Sequence, residues 1–195
     1  ASRVIELREP AQSMEIDLEC AGVNITGWLA QVQSNGLLRW RPSLLSVSQG
    51  MQLWLEHLVY CASGGSGESR LLLRKEGEWR FPPLSATEAS GYLAELVEGY
   101  RLGMTQPLLF LPESGGAWLK ACFDAESNTL LMDDETQQKA RSKFLQAYEG
   151  NMVVNGEGSD LWYQRLWRTL ENEQYEAIIE QTQRYLLPVF RYHQS

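Results

Sequence analysis

The sequence predicts an α/β fold with a mixed central sheet and flanking helices, and three observations carry that prediction. Its opening stretch alternates apolar and polar residues as half-buried strands do. Its middle interleaves short apolar runs with segments of helical periodicity, and its last sixty or so residues are helical in pattern. The resulting order is several antiparallel strands, a helix, a strand, a helix, a strand and then helices.

The segments "RVIELR" and "MEIDLE" read as strands, and "VNITGWLAQVQ" continues the alternation as far as "SNG". Asn35-Gly36 is a favoured two-residue hairpin turn, because both residues tolerate the positive φ of a type I′ turn. The strand "LLRWR" follows it. Over residues 47–62, Val47, Met51, Trp54, Leu55, Leu58, Val59 and Ala62 recur at helical spacing, which lays one helix face on the sheet and leaves Gln49, Gln52 and Glu56 outward. The glycine-rich "ASGGSGE" ends this helix before a strand in "SRLLLRK", and the turn "EGEW" leads into "RFPPL". A second helix starts after Ser85, an N-cap with Glu88 in the capping-box position, and runs to about Arg101.

The strand "PLLFL" comes next, and "ESGGAWLKACF" and "DETQQKARSKFLQAYEG" read as further helices. Residues 151–160 read as an exposed loop. Asp160 caps "LWYQRLWRTL", with an apolar stripe of Leu161, Trp162, Leu166, Trp167 and Leu170. The helix in "EQYEAIIEQTQRYLLPVF" continues until Pro188 interrupts it.

At 195 residues the chain has the length of one domain, with a core over about 1–125 and a helical portion over about 134–190. It starts at Ala1 and is patterned as a strand by residue 3, so it reads as a piece of a longer polypeptide. The net charge of −8 excludes a domain that coats nucleic acid by bulk electrostatics, and any DNA contact must be local. Cys20, Cys61 and Cys122 are odd in number and form no Cys-x-x-Cys pair, so neither a disulfide framework nor a zinc site is predicted. Apolar runs are too short for a membrane span and no signal core opens the chain, which makes the cytoplasm the expected compartment.

The hairpin of residues 27–46 concentrates the chemistry. With Asn35 and Gly36 as loop residues, Ser34 faces Leu37, Val32 faces Arg39 and Ala30 faces Arg41. Trp28, Ala30, Arg39 and Arg41 then share one face, and Leu29, Gln31, Leu38 and Trp40 the other. This layout resembles the metal-dependent nucleases of the PD-(D/E)xK class, which place an Asp on one strand, an acid-x-Lys triplet on the next and a Gln on the helix that follows. The carboxylates of that class supply the hard oxygen ligands Mg²⁺ demands. In this chain "GWLA" puts Ala30 in the Asp position, "RWR" puts Arg39 and Arg41 in the acid and Lys positions, and "QLWL" retains Gln52. Neither metal ligand is present, and Arg39 repels a divalent cation where an acid would attract it. No catalytic residue, metal or cofactor is therefore expected.

Longer runs carry a closer resemblance. "LLRWRPSLLSVSQGMQLWLEHLVYCASGGSGESRLLLRKEGEWRFPPL", "LVEGYRLGMTQPLLFLPESGGAWLK", "KARSKFLQAYEG", "WYQRLWR" and "LLPVFRYHQS" together are similar to the RecC family's C-terminal domain, from the hairpin to the last residue. That resemblance implies a noncatalytic, nuclease-like domain of a RecBCD-type helicase-nuclease, exodeoxyribonuclease V, which unwinds and degrades DNA from double-strand ends and responds to Chi. It implies RecB and RecD type subunits as partners, RecD foremost for this domain, and DNA through the assembled complex.

Plainer readings stand beside these. Arg39, Trp40 and Arg41 fit nucleic-acid contact, but also a strand with Trp inward and two solvated arginines. His57 and Cys61, four apart on a helix, read as packed helix surface rather than a metal pair. "GGSGE" lacks the Gly-Lys-Ser/Thr ending of a phosphate loop, "PESGG" is no nucleophile elbow, and "MDDE" reads as an acidic helix start. Trp162, Tyr163 and Trp167 are candidates for partner contact, with core packing as the alternative. A nuclease with acids moved to Glu15, Asp17 or Glu19 stays open, and turns on whether Asp17 reaches the hairpin face near Arg41. An acidic interaction domain unrelated to DNA is a third reading.

Overall fold

The computed structural model describes residues 2–194 and is α/β, with a mixed five-stranded sheet and flanking helices. Its chain divides into two compact units. One runs to Leu102 and takes back the residues from Tyr192 onward, and the other spans Gly103–Arg191.

The first unit opens with a short helix, α1 (Ser2–Leu7), where a strand was expected. Val4 and Leu7 are half-buried at i, i+3 spacing while Ile5 is exposed, and over so short a run the two periods cannot be separated. Strands β1 (Ala11–Cys20), β2 (Val23–Gln33) and β3 (Gly36–Trp40) form an antiparallel meander. Helix α2 (Val47–Ala62) then crosses over to β4 (Glu68–Leu72), which lies parallel to β3, and β5 (Glu78–Phe81) closes the sheet antiparallel to β4. The sheet order is β1-β2-β3-β4-β5.

The two hairpins turn on different residues, and the second differs from the sequence reading. Ala21 and Gly22, at φ 48° and 71°, supply the two positive-φ residues of the β1–β2 turn. Between β2 and β3 the loop residues are Ser34 and Asn35, because Gln33 pairs with Gly36 and Val32 with Leu37. Gly36 belongs to the strand for a different reason: its φ is 129°, and a Cβ there would lie 1.9 Å from the Glu68 carbonyl oxygen. The close approach of β4, not the turn, requires glycine.

Ser46 caps α2 in a capping box with Gln49. The helix buries Leu53, Trp54, His57, Leu58 and Cys61, and Trp54 meets Phe81 of β5 edge to face at 5.0 Å. Leu55, expected on the sheet side, is 44% exposed, because Leu53 and His57 occupy the buried arc in its place. Helix α3 (Ala86–Thr105) starts with the expected Ser85–Glu88 capping box and buries Ala89, Leu93 and Val97 at four-residue intervals. The chain's end returns to this unit: the Gln194 amide donates to the Arg80 carbonyl at 3.0 Å, and Tyr192 stacks on Trp54 at 5.3 Å.

The second unit is helical. It holds α4 (Pro112–Cys122), a small hairpin of β6 (Phe123–Asp124) and β7 (Thr129–Leu130), α5 (Asp134–Glu149), α6 (Leu161–Leu166) and α7 (Asn172–Gln181). "PLLFL" forms no strand. It is an extended lead into α4, whose first residue is Pro112. Pro188 does not end the last helix either. A π-helical turn, Thr182–Leu186, precedes α8 (Leu187–Tyr192), and the wider turn accommodates a residue that lacks an N–H and carries a ring. Trp118, Leu119, Cys122, Phe144, Ile178 and Leu186 are buried in this unit's core. Glu157 accepts from the amides of Glu113 and Ser114 at the start of α4, at 3.2 and 2.7 Å.

Candidate functional site

Along a strand, residues two apart project from one face about 6.6 Å apart, and along a helix residues four apart stand about 6 Å apart on one side. Arg39 of β3 with Arg41 just past its end, and Gln52 and Glu56 of α2, match those spacings with the elements running in opposite senses. The Arg39 guanidinium reaches Glu56, with Nε and Nη2 each 2.8 Å from Oε2. Arg41 Nη2 donates to Gln52 Oε1 at 3.0 Å. Arg39, Trp40, Arg41, Gln52 and Glu56 line one hollow of about 60 Å³. Both arginines thus face α2. The sequence had placed Glu56 on the outer face of that helix and missed it as the partner of Arg39. Its position one turn after Gln52 was the available signal.

Ala30 does not line this hollow. Between Gln12↔Val32 and Met14↔Leu29 the β1–β2 register shifts, so that Ala30 and Gln31 together oppose Ser13 in a bulge, with Gln31 at φ 59°. Ala30 is exposed, and the Gln31 carbonyl accepts from Arg39 Nη1 at 3.3 Å. The expected pairings of Val32 with Arg39 and Ala30 with Arg41 are therefore replaced: Val32 faces Leu37, and the β2–β3 ladder ends there. Of the four positions read against the nuclease pattern, the fold gathers Arg39, Arg41 and Gln52.

Electrostatically the site is an arginine neutralised by a glutamate beside an arginine held by a neutral amide. Asp17 lies elsewhere: it pairs across β1–β2 with Thr26 and lines a shallow hollow with Glu15, Leu18, Ala62 and Ser63, while Arg41 is bonded to Gln52. Among the described residues, no group of three His, Cys, Asp or Glu side chains is arranged to hold a metal ion.

His57 and Cys61 are both buried. His57 Nδ1 lies 2.7 Å from Ser69 Oγ on β4, and Cys61 Sγ lies 3.7 Å from His57 Nε2. Burial pushes the His57 pKa down to about 4 and raises that of Cys61. This neutral pair ties helix to strand inside the core.

The aromatic segment of the second unit is divided in its exposure. Trp162 is 72% exposed, with the Arg165 guanidinium 4.9 Å from its ring centroid, and Leu161 and Leu166 are exposed beside it in sequence. Tyr163 is buried between Tyr148 and Trp167, at centroid distances of 5.8 and 5.2 Å. Trp167 is half-buried. Asp160 Oδ1 accepts from the amides of Trp162 and Tyr163, as the capping pattern predicted.

Comparison with known proteins adds the following. A family model described as the RecC C-terminal domain matches residues 2–123. The chain is 73% identical over 195 residues to the RecBCD enzyme subunit RecC of Escherichia coli (strain K12), a match that covers 100% of this chain and 17% of that protein. It is 34% identical over 191 residues to the subunit of the same name in Buchnera aphidicola subsp. Acyrthosiphon pisum (strain APS), covering 98% and 18% of the two. For its counterpart in Buchnera aphidicola subsp. Schizaphis graminum (strain Sg) the figures are 33% over 179 residues, 92% and 16%. The chain spans about a sixth of the length of these curated relatives.

Proposed function

This chain belongs to the RecC C-terminal domain family, and from that premise we propose that it is a noncatalytic, nuclease-like domain of a RecBCD-type DNA helicase-nuclease. The complex it serves acts in double-strand-break repair and Chi-regulated recombination in the cytoplasm. Within it the domain holds RecB and RecD type subunits together and helps guide DNA strands. The observation that carries the noncatalytic reading is the Arg39–Glu56 pair. A guanidinium stands where the nuclease pattern places a metal-binding acid, and the Glu56 carboxylate beside it is engaged in neutralising it.

The succession of hairpin, helix and parallel strand supports the nuclease-like reading of the fold, since it sets the triplet position on β3 against Gln52 on α2. For assembly, Trp162 is the surface element we assign to the RecD type subunit, because a large exposed aromatic is the type of side chain interfaces favour. Tyr163 and Trp167 pack against each other at 5.2 Å in the same segment.

Reconstitution tests this function. The chain in its full-length context, carrying Trp162→Ala, is co-purified with RecB and RecD type subunits. Loss of the RecD type subunit with retention of the RecB type subunit is expected. Unchanged recovery of both would remove Trp162 from the interface, and failure of the unsubstituted protein to recover either would refute the assembly role.

A further inference from the structure

We infer that a cationic groove at the carboxyl ends of β3 and β4 binds a short segment of single-stranded DNA, with phosphates on Arg41, Arg74 and Lys75 and a base stacked on Trp40. This inference names a site for the strand-guiding role proposed above and rests on that reading. The parallel strands β3 and β4 are joined by the α2 crossover, and in such units ligands collect beyond the strands' carboxyl ends. A hollow of about 970 Å³ lies at that place here, lined by Arg3, Trp40, Arg41, Leu73, Arg74 and Lys75 among others. Glu76 is the acid on its lining, and Arg3 is paired to Glu78.

The charge there is available, unlike that of Arg39. Arg41 is bonded to a neutral amide, and among the described residues no carboxylate pairs with Arg74 or Lys75, whose side chains are exposed. Within a chain of net charge −8, three such cations around one hollow form a local field of opposite sign. The walls are fixed by backbone bonds: the Arg41 amide donates to the Leu72 carbonyl at 3.0 Å, and the Arg74 amide to the Ser43 carbonyl at 2.9 Å. Trp40 is 45% exposed on this rim. An indole face beside guanidinium groups offers stacking to an unpaired base, which a duplex keeps inside its own stack, so the single strand fits better than the duplex. An acidic peptide would use the cations alone.

Fluorescence anisotropy of a fluorescein-labelled oligodeoxythymidylate of about 16 nucleotides, titrated with the 195-residue chain across a salt series, tests the inference. Arg74→Ala/Lys75→Ala is expected to weaken binding about tenfold or more and to flatten the log K against log salt slope by roughly 0.7 per contact removed. Trp40→Ala should weaken binding about tenfold with Trp40→Phe largely restoring it, while Arg101→Ala changes nothing. Thermal melting confirms that each variant is folded. Absence of binding, or binding unmoved by these substitutions in folded protein, overturns the inference. Equal competition by a polyglutamate peptide together with an inert Trp40→Ala overturns it in favour of an acidic protein partner. None of these outcomes bears on subunit recovery, so failure here is separable from failure of the assembly role.

Discussion

Arg39 on β3 and Glu56 on α2 share one carboxylate oxygen through two guanidinium nitrogens, each at 2.8 Å, and in the nuclease-like layout proposed above the pair takes the place of an acid. Both side chains are under a third exposed, so solvent screens the contact only partly. A double-mutant cycle of Arg39→Ala and Glu56→Ala, read by urea unfolding, is expected to give a coupling of about 1 kcal/mol. Additive single effects would mean that the pair is a surface accident.

Gly36 sets the second expectation. Because a Cβ there would overlap the Glu68 backbone, Gly36→Ala should break the β3–β4 pairing and cost about 3 kcal/mol or more. Gly27, where a Cβ meets nothing within 4 Å, is the control for loss of glycine alone, although its φ of 155° adds some strain. Equal denaturation midpoints for the Gly36→Ala and Gly27→Ala variants would contradict the register.

His57 gives the fold a pH dependence whose sign is fixed by burial. Its folded pKa of about 4 lies below the ordinary 6.5, so between those values the unfolded chain binds the extra proton. The contribution is complete above pH 6.5 and is lost as pH falls toward 4, at up to about 1.4 kcal/mol per pH unit. His193 is shifted down in the same sense, whereas burial shifts Glu157 up, which acts oppositely on stability as pH rises above 4.5. The useful quantity is therefore the difference between the unsubstituted chain and His57→Gln. Their melting temperatures should converge as pH drops from 7 to 5, and a constant gap would show that His57 is not held neutral.

In the second unit, adjacent residues should behave differently. Tyr163→Ala removes a ring packed between Tyr148 and Trp167 and should destabilise by about 3 kcal/mol or more. Trp162→Ala should stay within about 0.5 kcal/mol, since its ring faces solvent. Chemical denaturation of the two variants checks this, and similar losses would place Trp162 in the core.

How much of this was legible in the sequence follows from which signals were local. The Ser85–Glu88 box and the Asp160 cap are short-range patterns, and both formed as read. The strands of the hairpin and the helix after it were also legible, but the meeting of Arg41 and Gln52 was not, since helical periodicity placed Gln52 on the outer face with Glu56. Nor was register legible. A bulge at Ala30 and Gln31 and a glycine demanded by β4 rather than by a turn are consequences of neighbouring strands, and a chain read alone does not display them. "RVIELR" was too short to separate the two periods, and Pro188 is accommodated by a π-helical turn that no propensity announces.

The central claim is that the hairpin keeps the layout of a nuclease site without its chemistry, and incubation of the purified chain with end-labelled single- and double-stranded DNA in Mg²⁺ tests it most directly. No metal-dependent cleavage is expected from the chain or from Arg39→Ala, because removing one guanidinium supplies no ligand at Ala30. Mg²⁺-dependent degradation that disappears with Asp17→Ala would contradict the account and establish an active site on β1.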